Sequence, residues 1–509
     1  MSYIQEILLS DLRMLITTLG QGGGLMSPSI YDTAQVLRLC PPAEGVGPGL
    51  EWLVDQQQAD GGWGDPAVPL ARDVSTLAAV LAIHAHGTRR RDEQAIHDGI
   101  NFLQQQAHQW AAPLPDDIPG GVELLLPSLL EAAASVGLAI PTAPYAALFE
   151  LRQRRHKLIA KMGDAYRLAG TTAAHSWEGW GKTPEIGLID GSGSVGHSPA
   201  ASAAWLGLAG DSPELAEARA TVVDYLERSA ISTGMNIPGV VPTSWPMDRF
   251  EQSFALYGIL LGGLIDHPLL QDVLKPQLEA LTAAMTPRGI GFTDWFLVDG
   301  DDTGAALAVL TAAKQPVDCN IMQQFAEGDH FCTWPRELQP SLSVTAHAVH
   351  ALAMDNVEAK DAIDFLARRQ QADGRWMGDK WNGSWLYTTA QVIVALQHTE
   401  YRGAIRRAGE AILVHQRSDG GWGIHRSTTE ETAYSVLALY TLRQMDLLDA
   451  AGEAALRKGG RWLLNEYRPF AQPRELCWLS KEPYRPLRVA RAFELSATLA
   501  AVRILEGDE

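Results

Sequence analysis

A seven-residue pattern, Gln-x-x-Asp-Gly-x-Trp, occurs three times in this chain of 509 residues. The copies lie at 57–63, 370–376 and 416–422, and each stands between two apolar segments with helical periodicity. An Asp-Gly pair favours a tight turn, and a tryptophan directly after the turn can pack back on the ends of the flanking helices. The recurrence of this unit predicts an architecture that is built from repeated helix pairs.

A second periodicity runs through the C-terminal half. Short segments that begin with threonine open apolar helices at Thr303, Thr345, Thr389 and Thr432, which are 42, 44 and 43 residues apart. Each interval has room for two helices and their loops. Because helices that are apolar all round are buried on most sides, their alternation with amphipathic helices predicts a closed α/α barrel with an inner and an outer ring. Strand patterns are nearly absent, so we predict an all-α protein.

The N-terminal half carries similar helices rich in small residues, at 73–79 and 198–204, which predict a second barrel. Proline-rich turns at 238–246 indicate a boundary near residue 245. The polar and basic stretch 150–161 predicts an exposed connector or rim.

Charge and composition exclude several classes of function. A net charge of −19 argues against nucleic acid, whose phosphates require a basic face. No apolar run reaches the length of about 18 residues that predicts a membrane span, and the first residues lack the pattern of a signal peptide. The four cysteines are far apart and match no metal-binding spacing, so we expect free thiols and a cytoplasmic protein.

Three carboxylates fall within four residues, at Asp299, Asp301 and Asp302, directly before an apolar helix. Ionising all of these carboxyl groups costs free energy because the like charges repel, so the pKa of at least one is raised. An acid that stays protonated at neutral pH can donate a proton. The alternative is a helix N-terminus at which the aspartates act as caps. A calcium loop is excluded because its twelfth position requires Glu and holds Leu310. From these residues alone, acid and cap both remain open.

Other blocks occur in a fixed order along the chain. They are Tyr31-Asp32-Thr33-Ala34, the Glu and Pro-Ser-Leu of 122–131, the Val-Pro and Phe-Glu of 241–251, Lys380-Trp381, and Trp-Leu-Ser-Lys-Glu-Pro-Tyr-Arg-Pro at 478–486. With Asp299-Gly300-Asp301-Asp302 and the tryptophan repeats, they resemble the class II terpene cyclases of the copalyl diphosphate synthase type over nearly the whole chain. Gln35 departs from this pattern, since the family usually has Trp there.

The resemblance implies two α/α-barrel domains, called β and γ, with the active site between them. We expect residues 1–25 to be an N-terminal helix of the β domain, residues 26–245 to be the inserted γ domain, and residues 246–509 to be the rest of the β domain. The Asp-Asp-x-x-Asp cluster of class I enzymes is absent, because Gly120 stands where the last aspartate would follow Asp116-Asp117. The substrate's diphosphate should therefore survive the reaction.

The same resemblance assigns the general acid to Asp301, which Asp299 and Asp302 would tune and orient. His347, one repeat later, is placed to hydrogen-bond this acid, or is simply a core histidine. The block 171–179 resembles the His-Ser-x-Glu-Gly block of ent-copalyl diphosphate synthases, in which His and an Asn hold a water that takes the final proton. We therefore expect His175 as the base and Asn236 as its partner, although the spacing of Asn236 differs from that of the family.

Other residues are candidates for contact with the substrate. Aromatic faces stabilise cations, and Trp295, Trp381, Trp385 and Tyr387 are the candidates, with ordinary core packing as the alternative for each. Lys157 and Lys481 are the candidate cations for the diphosphate; the alternative is a solvated surface lysine. The family commonly uses Mg²⁺, for which the acidic run of Asp116, Asp117 and Glu123 is the candidate site.

The resemblance thus implies a class II diterpene cyclase that converts geranylgeranyl diphosphate to copalyl diphosphate, with the ent product favoured by the His175 block. A class I terpene synthase would act on the product. One alternative keeps the chemistry and takes farnesyl diphosphate to drimenyl diphosphate, and another ends at a different labdane diphosphate. An alternative of another class is a non-catalytic α/α-barrel module that binds or carries prenyl chains.

Overall fold

The computed structural model describes residues 2–66, 68–114, 118–163, 168–337, 339–467 and 476–507. The described residues form twenty helices and two short antiparallel hairpins. The helices are α1 (Tyr3–Thr18), α2 (Ile30–Leu39), α3 (Gly47–Asp55), α4 (Pro69–His86), α5 (Arg90–Gln106), α6 (Val122–Ser135), α7 (Ala146–Met162), α8 (Thr172–His175), α9 (Pro199–Ala209), α10 (Ala216–Ile231), α11 (Asp248–Leu261), α12 (Gln271–Ala284), α13 (Gly300–Ala312), α14 (Leu342–Met354), α15 (Lys360–Arg368), α16 (Trp385–Leu396), α17 (Arg402–Val414), α18 (Thr429–Gln444), α19 (Ala450–Asn465) and α20 (Leu487–Glu506). The strands are β1 (Ala326–Glu327), β2 (His330–Phe331), β3 (Trp478–Leu479) and β4 (Pro483–Tyr484).

Six helices of the C-terminal half close a ring. Each of α11, α13, α14, α16, α18 and α20 contacts the next, and α20 contacts α11 again. Helices α12, α15, α17 and α19 lie outside, each against two neighbours of the ring, and α1 packs on α12 and α20. The four threonine-led segments begin or lie in α13, α14, α16 and α18, which are consecutive members of this ring. The predicted all-α fold with a closed α/α barrel is confirmed.

The N-terminal half forms a smaller ring. Helix α2 lies between α4 and α9, and α4 contacts α6. The gap between α6 and α9 is closed by a single 3-10 turn, Trp177–Gly179, which touches both helices. This turn directly follows His175, so the block that carries the predicted base is part of the barrel wall.

The repeated Gln-x-x-Asp-Gly-x-Trp unit joins each inner helix to its outer neighbours. In the second copy the indole Nε1 of Trp376 donates to the carbonyl of Leu366 at 2.7 Å, and its backbone N–H donates to Thr389 Oγ1 at 3.1 Å. The side-chain amide of Gln370 donates to a carbonyl of its own turn and to the carbonyl of Ala404 in the next outer helix. The other copies repeat these tryptophan contacts with Leu53 and Thr76, and with Ile412 and Thr432.

Buried apolar residues form one large core from the regions 8–26 and 247–504, and two smaller cores between residues 31 and 245. The domain boundaries at 25 and 245 stay a prediction. The four cysteines are free thiols. None of the described helices is long and apolar enough to cross a bilayer.

Candidate active site

A cavity of about 310 Å³ lies where the two helical halves meet. One wall comes from α6, α7 and α8, and the other comes from the main barrel and the β3–β4 hairpin. Its lining is mostly apolar and aromatic, with the three clustered aspartates on one side and His175 among the residues of the other half. Such a largely apolar pocket with a few convergent polar groups is typical of a small-molecule site.

Asp299 is the N-cap of helix α13. Its Oδ1 accepts hydrogen bonds from the backbone N–H groups of Asp301 (3.0 Å) and Asp302 (2.8 Å). Burial raises the pKa of Asp299 to about 8, and burial together with the neighbouring charges of Asp299 and Asp301 raises the pKa of Asp302 well above its ordinary value. The interpretation as a helix cap therefore holds for Asp299, and all three aspartates line the cavity.

Asp301 is held by one close partner. Oδ1 of Asp301 lies 2.6 Å from Nδ1 of His347, a fully buried side chain on α14. The expected contact between His347 and this acid is therefore present. The hydroxyl of Tyr387 lies 3.5 Å from Nε2 of the same ring, so the ring stands between a phenol and the carboxyl group. If the phenol donates to Nε2, then Nδ1 carries its proton toward Oδ1, and the acid proton is left on Oδ2.

His175 ends the short helix α8 and lines the opposite part of the cavity. Its Nδ1 lies 2.8 Å from the carbonyl of Gly196, which can only accept, so Nδ1–H donates and the lone pair stands on Nε2. Burial, and then the nearby charge of Lys481, lowers the pKa of His175 to about 3. The ring is therefore neutral at physiological pH and has a nitrogen that can accept a proton.

Asn236 does not join His175. It is exposed in a turn with a left-handed backbone (φ 55°) and is not among the residues that line the cavity. The Asn half of the expected dyad is therefore wrong. The hydroxyl groups of Thr172, Ser176 and Ser244, which come from the same half as His175, line the cavity instead.

The cations are placed differently from the prediction. The stretch 150–161, predicted to be an exposed connector or rim, is part of helix α7, on which Lys157 is exposed and Arg155 lines the cavity. Lys481 also lies in the cavity wall, but its Nζ is buried against Glu178 (2.6 Å) and the hydroxyl of Ser198 (2.5 Å). Its ammonium group is therefore already paired. Arg155, which the prediction did not name, also lines the cavity, and its Nε donates to Glu123 at 2.9 Å.

The predicted magnesium site falls only in part on described residues. Asp116 and Asp117 lie outside them. Glu123 lines the cavity, but its carboxylate accepts from Nε of Arg155 at 2.9 Å, so its charge is already compensated. Within the described ranges no group of three His, Cys, Asp or Glu side chains could hold a metal ion. Glu123 by itself does not form a site for Mg²⁺, and magnesium binding stays a prediction.

Of the four predicted aromatic residues, only Trp381 lines the cavity. Trp295 is 52% exposed, Trp385 packs on the ring of His415, and Tyr387 lies behind the wall with its ring 5.2 Å from that of Trp478. These three do not face the cavity. The aromatic residues that do, and that the prediction missed, are Phe250, Phe292, Phe296, Trp334, Trp478 and Tyr484. Three of them lie in the blocks at 241–251 and 478–486, which marked the regions but not the individual side chains.

Comparison with known proteins agrees with this geometry. Residues 317–469 match the model of the squalene-hopene cyclase C-terminal domain. The chain is 49% identical to the (+)-kolavenyl diphosphate synthase of Herpetosiphon aurantiacus, over 98% of each chain. It is 31% identical to an ent-copalyl diphosphate synthase of a Streptomyces strain, over 95% of this chain and 93% of the relative. Among solved structures, the ent-copalyl diphosphate synthase of Streptomyces platensis superimposes with a TM-score of 0.80, at 29% identity, over 98% of this chain and 99% of the other.

Proposed function

The chain belongs to the class II diterpene cyclases, and from this premise we propose that its substrate is geranylgeranyl diphosphate, which it closes to a bicyclic diphosphate. The observation that carries this proposal is the carboxyl group of Asp301, held by His347 at the edge of an aromatic-lined cavity. A carboxyl group that faces such a cavity can act as a general acid toward an alkene, and the aromatic faces around it can stabilise the carbocation that forms. With the family shown, the alternative of a non-catalytic module is set aside.

The reaction begins when Asp301 gives its proton to the terminal alkene. A C–H bond forms from the alkene's π electrons, and the carbocation that results is attacked by the next alkenes in turn. The carboxylate that Asp301 becomes is stabilised by the N–H of His347, through a hydrogen bond that strengthens as charge develops. The faces of Trp334, Trp381 and Trp478 can stabilise the cation without reacting with it.

The reaction ends when the last cation loses a proton. His175 is suited to this step because it is neutral and has Nε2 free to accept, either directly or through a water. A weak base is sufficient, since a C–H bond next to a carbocation is very acidic. One proton enters at the alkene and one leaves at the end, so the product is an isomer of the substrate and keeps its diphosphate.

The diphosphate needs a cation, and we assign this role to Arg155 in place of Lys157 and Lys481. Its guanidinium lines the cavity, and it can bind phosphate oxygens with two parallel N–H donors. Gly120 and Gly121, which directly precede α6, also line this wall. Mg²⁺ would supply further positive charge to the diphosphate when bound, but no step is assigned to it.

Two products are candidates. The 49% identity to a (+)-kolavenyl diphosphate synthase over nearly the whole chain favours kolavenyl diphosphate. The His175 block favours ent-copalyl diphosphate, but Asn236 does not accompany His175 in this chain. We therefore propose kolavenyl diphosphate, with ent-copalyl diphosphate as the second candidate. The diphosphate that remains would be the leaving group for a class I terpene synthase that consumes the product.

The purified enzyme should be incubated with geranylgeranyl and, separately, farnesyl diphosphate, and the dephosphorylated products compared with authentic (+)-kolavenol, ent-copalol and drimenol by chiral gas chromatography–mass spectrometry. We expect a bicyclic alcohol from the twenty-carbon substrate only. Asp301→Asn should abolish it. Asp294→Asn, which removes an exposed carboxylate of the same loop outside the cavity, should retain it. Cyclisation by Asp301→Asn at the wild-type rate would refute the acid assignment, and a preference for farnesyl diphosphate would refute the proposed substrate.

A further inference from the structure

Glu430 is a fully buried carboxylate that the reaction described so far does not use. It lies in the first turn of α18, in the inner ring, with no exposed surface. Burying a carboxylate is costly unless hydrogen bonds or an opposite charge compensate it. Its partners therefore indicate what it does in the fold.

Glu430 joins an ion network to one residue of the cavity wall. Its Oε1 accepts from the hydroxyl of Tyr434 (2.6 Å) and from the indole Nε1 of Trp478 (2.8 Å). Its Oε2 lies 3.2 Å from Nη1 of Arg485, and Nη2 of the same guanidinium donates to Glu494 at 2.6 Å. A buried negative charge is thus held against the edge of the Trp478 ring.

Trp478 is fixed within a cluster of rings beside the acid. Its ring meets those of Phe250 and Phe254 edge to face at 5.4 Å each. Phe254 in turn lies edge to face with His347, the partner of Asp301, at 5.4 Å. Only one ring therefore separates Trp478 from the histidine that holds the acid, and Trp478 itself lines the cavity.

The contact with Glu430 has two consequences for the ring. It fixes the direction of the indole, because an indole has a single N–H donor. It also makes the π face more negative, because a hydrogen bond from N–H to a carboxylate polarises the ring in a medium of low dielectric constant. A more negative face attracts a carbocation more strongly.

We propose that Glu430 is a positioning residue: it holds and polarises the Trp478 ring beside the acid, where the ring stabilises positive charge on the cyclising chain and thereby influences the carbon at which the last cation loses its proton. A cation that is well stabilised at one carbon persists long enough for 1,2-shifts, whereas a poorly stabilised one is deprotonated early or captured by water. The inference rests on the proposed function for the identity of the products.

The test compares four enzymes with geranylgeranyl diphosphate: the wild type, Glu430→Gln, Trp478→Phe and the double variant. Glu430→Gln keeps an acceptor oxygen but removes the charge, and Trp478→Phe keeps an aromatic ring but removes the N–H. We expect each single variant to lower kcat about tenfold, with KM nearly unchanged, and to increase the share of early-deprotonated or hydroxylated products. The double variant should resemble Trp478→Phe, since Glu430 acts only through that ring.

The matched control is Glu431→Gln. Glu431 is the next residue of the same helix and is also buried, but its carboxylate accepts from Ser384 and Thr428 and touches no residue of the cavity wall that the structure describes. A structural role alone predicts that Glu430→Gln and Glu431→Gln lower the thermal midpoint alike and leave the product ratio unchanged.

Three results would overturn the inference: an unchanged product ratio in Glu430→Gln, the same altered ratio in Glu431→Gln, or additive effects in the double variant. If Glu430→Gln does not fold, Trp478→Phe must show the altered ratio alone, and an unchanged ratio there refutes the inference. Failure of the proposed function is distinct, because the wild type would then not cyclise geranylgeranyl diphosphate. In that case the same four enzymes are compared with the prenyl diphosphate that the wild type does cyclise.

Discussion

Replacement of His347 by phenylalanine should slow cyclisation without weakening substrate binding. The variant loses the 2.6 Å contact between Nδ1 and Oδ1 of Asp301, but it keeps a ring against Phe254 and Tyr257, whose rings lie 5.4 and 4.9 Å away. A hydrogen bond to a charged group contributes about 1.5–3 kcal/mol. The bond is strongest when Asp301 has given up its proton, so its loss raises the barrier and lowers kcat by about 10- to 150-fold.

Steady-state kinetics with geranylgeranyl diphosphate measure this effect, with kcat and KM determined separately. His350→Phe is the matched control. His350 lies one turn further along α14, is also buried, and makes a 2.9 Å hydrogen bond with the hydroxyl of Tyr257 but none with a carboxylate among the described residues. An equal loss of kcat in both variants would show that buried histidines in α14 matter only for packing. A kcat of His347→Phe within about twofold of the wild type would refute the role of His347.

Further predictions concern the base, the diphosphate and pH. His175→Ala should increase hydroxylated or differently deprotonated bicycles in the product analysis, and an unchanged product would remove His175 from the mechanism. Arg155→Ala should raise KM for geranylgeranyl diphosphate by about tenfold or more, whereas Arg154→Ala, which removes an exposed cation from the same helix, should not; equal KM values would refute the assignment. Burial raises the pKa of Asp32 to about 7, so the folded state binds a proton that the unfolded state releases near pH 4. The contribution of this proton to the free energy of unfolding, on the order of 4 kcal/mol, is present at low pH and is lost as pH rises from about 4 through about 7. In Asp32→Asn, the free energy of unfolding, measured by urea titration at each pH, should therefore decrease less as pH rises than in the wild type. An unchanged pH dependence would contradict the raised pKa of Asp32.

The fold could be predicted because its signals are local and repeated. The turn, the tryptophan and the threonine recur at nearly constant spacing, and each has the same structural role in every copy. The three copies make the same hydrogen bond from the indole to the preceding helix.

The choice between Lys157 and Arg155 depends on which face of the helix each residue occupies, and composition alone does not show this. Residues two apart on a helix point in nearly opposite directions, while residues three and four apart share a face. Arg155, Leu158 and Ile159 line the cavity together, and Lys157 faces solvent.

The aromatic residues were harder to predict, because a ring in an α/α barrel can face the cavity, a neighbouring helix or, like Trp295, the solvent, and sequence spacing does not distinguish these cases. Trp381 and Trp385 are four residues apart, yet only Trp381 lines the cavity. Trp381 precedes α16 and donates its indole N–H to Thr333, a residue of the wall, whereas Trp385 begins the helix and packs outward on His415. The difference arises at the loop-to-helix boundary, the feature that sequence patterns locate least well.

Lys481 shows why a charged residue in a family block need not bind the charged part of the substrate. Its Nζ lies 2.6 Å from Glu178 and 3.8 Å from Asp32, so it joins the β3–β4 hairpin of the main barrel to the wall of the N-terminal barrel. The same charge helps to lower the pKa of His175, after burial. The buried ammonium group of Lys481 therefore links the two halves that enclose the cavity and helps to keep His175 unprotonated. If Lys481 bound the diphosphate, it would be drawn away from both carboxylates, and the cost of leaving them buried and unpaired argues against that role. Arg155 can keep the bond from Nε to Glu123 and still offer its two Nη groups to an anion.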